Sequence, residues 1–288
     1  MSLLLLLVSA LWGSSFVGSK ICMNSGMNGY EIVFFRFVLG AIFMGILFHK
    51  DLRHTTKSAA RAGFLIGLTM VLSFGMEMFA LKVTAANKIS FLAATNVVIT
   101  PFMYTLICKV PLKKTSVLAA LISMVGVSFL TLQGGFGALA VGDIVMLLTA
   151  CVYSLNTVLV FIVAKGNSFL QIVFFQFVTG AAGMGILSCI QGFSGNYTMP
   201  GVLGTVYLAV FPTTVCFVLR TYAVRYVSPT RTAVIFSTES VFCAILSAIL
   251  LHEMPTLPML FGMALILCGI LVEILAPQHD PEPNDPVS

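Results

Sequence analysis

Ten stretches of about 20 mostly apolar residues follow one another along this 288-residue chain, separated by short polar or Pro- and Gly-containing joints. They read as spans 3–23, 29–49, 59–80, 86–108, 114–132, 140–164, 168–190, 201–223, 230–251 and 256–275. Helices of that length cross the hydrocarbon core of a bilayer, and the chain has little else to offer. Only 9% of its residues are charged while 59% are hydrophobic, against roughly 25% charged in soluble domains. Such a surface is solvated by lipid, which predicts an all-α, multi-pass integral membrane protein. The apolar start from Leu3 to Val8 runs on through Trp12 and Gly13, too far for a cleaved signal, and is read as the first span. The segment from Pro277 to Ser288 is Pro-rich and acidic and is expected to be a disordered tail.

Basic residues give the orientation, because Lys and Arg stay on the cytoplasmic side of short loops. Lys50, Arg53, Lys57, Arg61, Lys109, Lys113, Lys114, Lys165, Arg225 and Arg231 fall on one face if both termini are cytoplasmic. Only Lys20, Lys82 and Lys88 fall on the other. The net charge of +5 is therefore a topology signal in a plasma or inner membrane, with no nucleic-acid partner implied. The seven cysteines sit singly in apolar runs without ligand spacing and read as small core residues.

The chain also repeats itself. At an offset of 140, Phe34-Phe35-Arg36-Phe37-Val38-Leu39-Gly40-Ala41 lies over Phe174-Phe175-Gln176-Phe177-Val178-Thr179-Gly180-Ala181, and Met44-Gly45-Ile46-Leu47 over Met184-Gly185-Ile186-Leu187. At an offset of 143, Phe74 matches Phe217, Glu77 faces Arg220, Thr95 matches Thr238 and Asn96 faces Glu239. Five spans per half is an odd number, so the second half enters the membrane from the opposite side. Inverted repeats of this kind are a recurrent basis for alternating access in secondary transporters.

With its opening LLLLLVSALWGSSFVGSK, Arg36 in FFRFVLGA, the run ALKVTAANKISFLAATNVVITP, and AVRYVSPTRTAVIFSTESVFCAILSAILLHEM in the second half, the sequence resembles the EamA family of the drug/metabolite transporter superfamily. The resemblance covers nearly the whole chain. It implies two five-helix repeats, residues 1–137 and 138–276, followed by the tail 277–288. It further implies a central cavity walled by the first four helices of each repeat, with the fifth and tenth peripheral. The sequence departs from the family at Ala244, where many members have Pro nearby, and at Val110, which occupies the position matching Glu253.

A charge near the middle of a spanning helix costs roughly 2.5 to 3.5 kcal/mol on insertion scales, so Arg36, Glu77, Arg220 and Glu239 are candidate site residues. They line a cavity for a ligand of both charges, or they pair with one another as a clamp. Asn96, Asn156 and Gln176, with Thr95 and Thr238, supply neutral polar groups, and Trp12, Tyr104, Tyr153 and Tyr222 supply possible aromatic walls. The plainer roles are interhelical hydrogen bonding and interfacial anchoring. Gly40, Gly45, Gly180, Gly183 and Gly185 form a small-residue packing face. Lys88 and Arg231 either snorkel to the interface or attract substrate. Asn196-Tyr197-Thr198 is a sequon in an external loop.

These features point to a non-ATP transporter of a small polar metabolite, and no metal or cofactor is expected. The zero sum of the four charges favours an amino acid or related zwitterion, with export the preferred direction. Uptake of an organic cation such as a quaternary amine ranks second, and exchange of nucleotide sugars third. A membrane enzyme would need a nucleophile and base or a metal cluster, and the four histidines at 49, 54, 252 and 279 are scattered over loops and tail. A coupled proton on Glu77 or Glu239, and a monomeric or homodimeric state, are compatible with the sequence.

Overall fold

A computed structural model of the chain describes residues 1–112, 114–131, 140–164 and 166–275. Lys113, Lys165, the expected repeat boundary at 137 and 138, and the tail 277–288 lie outside the described residues. The helices are α1 (Ser2–Asn24), α2 (Gly29–Leu47), α3 (Lys57–Val83), α4 (Ala86–Cys108), α5 (Lys114–Thr131), α6 (Val141–Ala164), α7 (Phe169–Gln191), α8 (Met199–Ala223), α9 (Pro229–Leu250) and α10 (Leu257–Leu275). One extra turn, His49–Leu52, follows α2. Eight of these helices are long and apolar enough to cross a membrane. The other two, α5 and α10, carry shorter apolar segments, Val117–Gly126 and Leu257–Gly269.

Helix ends are set by local chemistry. Asn28 and Glu31 form a capping box at the start of α2, and the Glu31 carboxylate also accepts the Ser194 N–H (2.9 Å) and hydroxyl, tying α2 to the loop before α8. The start of α4 is capped from the other half of the chain, where Glu253 Oε2 accepts Ala86 N–H (3.1 Å) and Asn87 N–H (3.4 Å). The start of α9 instead uses its own Ser228 hydroxyl, with Pro229 in the first turn where its missing N–H costs nothing.

In lipid the helices gain from close contact rather than from expulsion of water, so small residues mark the interfaces. Helix α7 packs on both α2 and α3, α3 packs on α6, α1 packs on the second half of α9, and α5 packs on α10. At Gly63 and Gly67 of α3 a methyl group would sit 2.7 Å from Ile172 O and 3.0 Å from Gln176 O, so α7 runs against bare backbone. Gly126 of α5 meets Gly262 O in the same way. The contacts between α2 and α7 are reciprocal. The Phe37 ring covers Gly180 and the Phe177 ring covers Gly40, and the two rings stack at 5.9 Å and 22°. Phe34 likewise sits over Gly185 and Phe174 over Gly45. The sequence repeat is thus a packing repeat, each half supplying the same ring to the same glycine of the other.

Three helices are interrupted where the sequence predicts continuous spans. Helix α4 consists of Ala86–Ala93 and Asn96–Cys108, and α9 of Pro229–Phe236 and Glu239–Leu250. The turns match bond for bond. Thr95 N–H reaches Leu92 O and Thr238 N–H reaches Ile235 O, and each threonine hydroxyl also donates to that same carbonyl at 2.7 Å. A threonine competing for its own helix carbonyls is the local cause in both. Helix α8 is different. Its Ala209–Val215 segment is a π-helix around Pro212, which has no N–H to continue the ladder.

Candidate functional site

The interruptions in α4 and α9 border one central cavity, to which α8 contributes Phe217 and Arg220 from the turns after its π-helix. Together with α1, α2, α3 and α6 these helices enclose a cavity of about 70 Å³. Eight expected site residues stand on its wall: Trp12, Arg36, Glu77, Asn96, Tyr153, Asn156, Arg220 and Glu239. Ser15, Phe16, Met70, Ser73, Phe74, Thr157, Phe217 and Phe236 complete it. Several of these additions lie three or four residues from an expected one: Ser15 from Trp12, Ser73 from Glu77, Thr157 from Tyr153 and Phe217 from Arg220. Helical periodicity applied to the expected positions would have found them.

The pairing of the four charges as a clamp is not what the geometry contains. Among the described residues none of the four makes a direct ion pair; the salt bridge present is Lys88 to Asp143 at 2.8 Å, away from the cavity wall. Arg36 is 1% exposed; its Nε donates to Thr213 Oγ1 at 2.9 Å and its Nη1 to Ser19 Oγ at 3.4 Å, and its guanidinium lies 5.5 Å from the centre of the Phe74 ring. Arg220 donates from Nη2 to Thr157 Oγ1 at 3.2 Å and lies over Trp12 at 5.6 Å. Glu77 accepts the Tyr153 hydroxyl. Asn156 donates to Thr69 Oγ1 at 2.7 Å. The π-helix of α8 is held from the cavity side: Trp12 Nε1 donates to Pro212 O at 2.8 Å, and Arg36 grips Thr213.

Glu239 and Asn96 owe their positions to the matched turns, each being the first residue of the half-helix that follows the break. Helix α9 approaches closely beside Trp12. A methyl group on Gly13 would stand 2.5 Å from Glu239 O.

The structure places three expected site residues away from the cavity wall. Tyr104 packs edge-on to Phe161 at 5.6 Å, between α4 and α6. Tyr222 meets Phe169 and Tyr226 edge-on, each at 5.5 Å, near the end of α8. Gln176 is fully buried in the α3 to α7 contact, and neither of its amide atoms has a hydrogen-bond partner. It matches Arg36 in sequence, but Met70 stands where Thr213, the partner of Arg36, would be at the repeat offset. Sequence matching preserved the position and not the partner. Lys88 is neither snorkelling freely nor facing the cavity. It ties α4 to α6 through Asp143, whose side chain is fully buried and also accepts the Ala140 N–H.

The chain matches the EamA-like transporter family over residues 1–132 and 140–275. A protein described as an uncharacterized transporter from Archaeoglobus fulgidus is 28% identical, the alignment covering 93% of this chain and 83% of that one. One so described from Clostridium kluyveri is 24% identical over 93% and 91%. A crystal structure at 18% identity superposes with a TM-score of 0.76, covering 95% of this chain and 96% of its own, which fixes the likeness of fold. With both halves matched, the chain belongs to the EamA-like transporter family.

Proposed function

We propose that the protein is a secondary transporter of a small zwitterionic metabolite of the amino-acid type, working by alternating access and used for export. The observation that carries this reading is the cavity itself, where two carboxylates and two guanidiniums from α2, α3, α8 and α9 share one wall without a direct ion pair. Charges held in a membrane interior without a direct counter-ion are costly, and a ligand bearing both signs would offset them. Two guanidiniums balanced by two carboxylates argue against a nucleotide sugar, whose phosphates need an excess of positive charge. The organic-cation reading loses support because the aromatic faces that would take such a ligand already have cations over them: Arg220 over Trp12 and Arg36 over Phe74.

The same reading takes α5 and α10 as the fifth and tenth spans, and the halves 1–137 and 138–276 as inverted repeats. The reciprocal Phe37 to Gly180 and Phe177 to Gly40 contacts support it, since a two-fold axis passing between those rings generates them. Both termini then lie on the face with the basic loops, and a proton on Glu77 or Glu239 is the candidate coupling ion. Neither a nucleic acid nor a cofactor enters the scheme, and a monomer or homodimer satisfies it.

Purified protein in liposomes tests the reading. Uptake of labelled amino acids that is saturable, and driven by an imposed substrate or pH gradient, is the expected result. Transport confined to quaternary amines or nucleotide sugars would sink it.

A further inference from the structure

Buried polar atoms in native structures almost always find partners, so those that lack one on the wall of the central cavity identify where a ligand completes the accounting. The cavity wall divides sharply on this criterion. Glu77, Arg36, Asn156 and Trp12 each have a protein partner, namely Tyr153, Thr213 with Ser19, Thr69, and Pro212 O. Besides the small hydroxyl of Ser15, three larger side chains are left. Arg220, 5% exposed, has its Nη2 on Thr157 but its buried Nε unpartnered. Asn96, 7% exposed, has its buried Oδ1 unpartnered. Glu239, also 7% exposed, makes no side-chain hydrogen bond among the described residues, and both it and Asn96 line the cavity at the equivalent turns of α9 and α4.

Resting on the transport reading above, we infer that the substrate is held by Glu239, Asn96 and Arg220, and that it is a primary or secondary amino acid rather than a betaine. A guanidinium with a free Nε edge is a donor suited to a carboxylate. Glu239 and Asn96 Oδ1 are both acceptors, supplied from two helices, and an ammonium with two or more N–H donors satisfies both at once. A quaternary ammonium has no N–H and leaves Asn96 Oδ1 buried and unmet. Arg36, Glu77 and Trp12 are positioning residues in this scheme. They hold the π-helix of α8 and the wall of α3, and through them the orientation of Arg220.

The test is a melting-temperature and flux-competition series on the full-length protein. The twenty common L-amino acids are screened first. Each one that raises the melting temperature is then compared with its N-trimethyl betaine, its N-acetyl derivative and its carboxamide. The expected result is binding of the free amino acid, with a loss of about tenfold or more for each of the three derivatives. Glu239→Gln should lose about as much affinity as the wild type loses on N-acetylation. Asn96→Ala should narrow the gap between amino acid and betaine. A betaine that competes as well as its amino acid overturns this assignment while leaving zwitterion transport standing. So does a loss of affinity on Glu77→Gln or Arg36→Lys as large as on Glu239→Gln. Binding by no zwitterion of either kind overturns both. The wild-type ligand series decides between amino acid and betaine even if a variant fails to fold.

Discussion

The breaks in α4 and α9 share a backbone and a threonine but not the residue that follows it. Both halves turn at a threonine whose N–H and hydroxyl converge on the same carbonyl, and both present the next residue to the cavity. In the first half that residue is the neutral Asn96, in the second the anionic Glu239. Helices α3 and α8 differ more deeply, since α3 is a regular helix over Lys57–Val83 whereas α8 has its π-helix at Pro212. The comparison teaches that duplication repeated the scaffold, and that the polarity of the cavity comes from the positions where the copies diverged.

The most severe way to break the comparison is to exchange the divergent pair. Asn96→Glu combined with Glu239→Asn keeps the net charge and both turns but moves the carboxylate to the other half. Flux should fall by about one to two orders of magnitude, the value of a charged hydrogen bond misplaced, while the ligand-free melting temperature changes little. Unchanged flux would mean that the two turns are interchangeable.

Comparable in size is the effect expected at the ion pair that ties α4 to α6. Lys88→Met leaves the Asp143 carboxylate buried without its cation and should destabilise the protein by about 3 kcal/mol in denaturant titration, the low end for such a site because Lys88 is itself 25% exposed. Asp143→Asn in the same background should recover part of the loss, which a purely steric effect of methionine would not.

The reciprocal glycines should be unequal. A methyl at Gly180 would stand 2.7 Å from the Phe37 ring, but one at Gly40 stands 3.1 Å from Phe177. Gly180→Ala is therefore expected to cost about 2 kcal/mol and Gly40→Ala less than about 1 kcal/mol. Equal losses would show that the rings relax alike and that the packing axis is more symmetric than these distances.

The smallest effect separates the two caps. Glu253→Ala removes a carboxylate from two backbone N–H groups at the start of α4, whereas Ser228→Ala removes one neutral acceptor from the start of α9. Losses of about 1.5 and about 0.7 kcal/mol are expected. Hydrogen exchange at Ala86 and Asn87 that is insensitive to Glu253→Ala would refute the cap. The departure at Val110 then has a physical meaning: only one of the two helix starts receives a carboxylate from the other half.

Hydropathy summed over about 20 residues, the 140 and 143 offsets, and the few mid-helix charges were enough to read the helices, the likeness of the two halves and the four charges of the wall from the sequence alone. Those signals are local or self-referential, so no partner need be known. What the sequence did not carry was which polar groups are satisfied. Arg36 finds Thr213 across 177 residues and Trp12 finds Pro212 across 200, and Gln176, at the position matching Arg36, finds no partner at all. The threonine turns were equally hidden, because a hydroxyl that bonds its own helix leaves no trace in apolar periodicity. Only the packed structure decides such pairings. In a lipid-solvated interior there is no water to make up a missing hydrogen bond, so each buried donor and acceptor depends on whichever distant helix lies beside it.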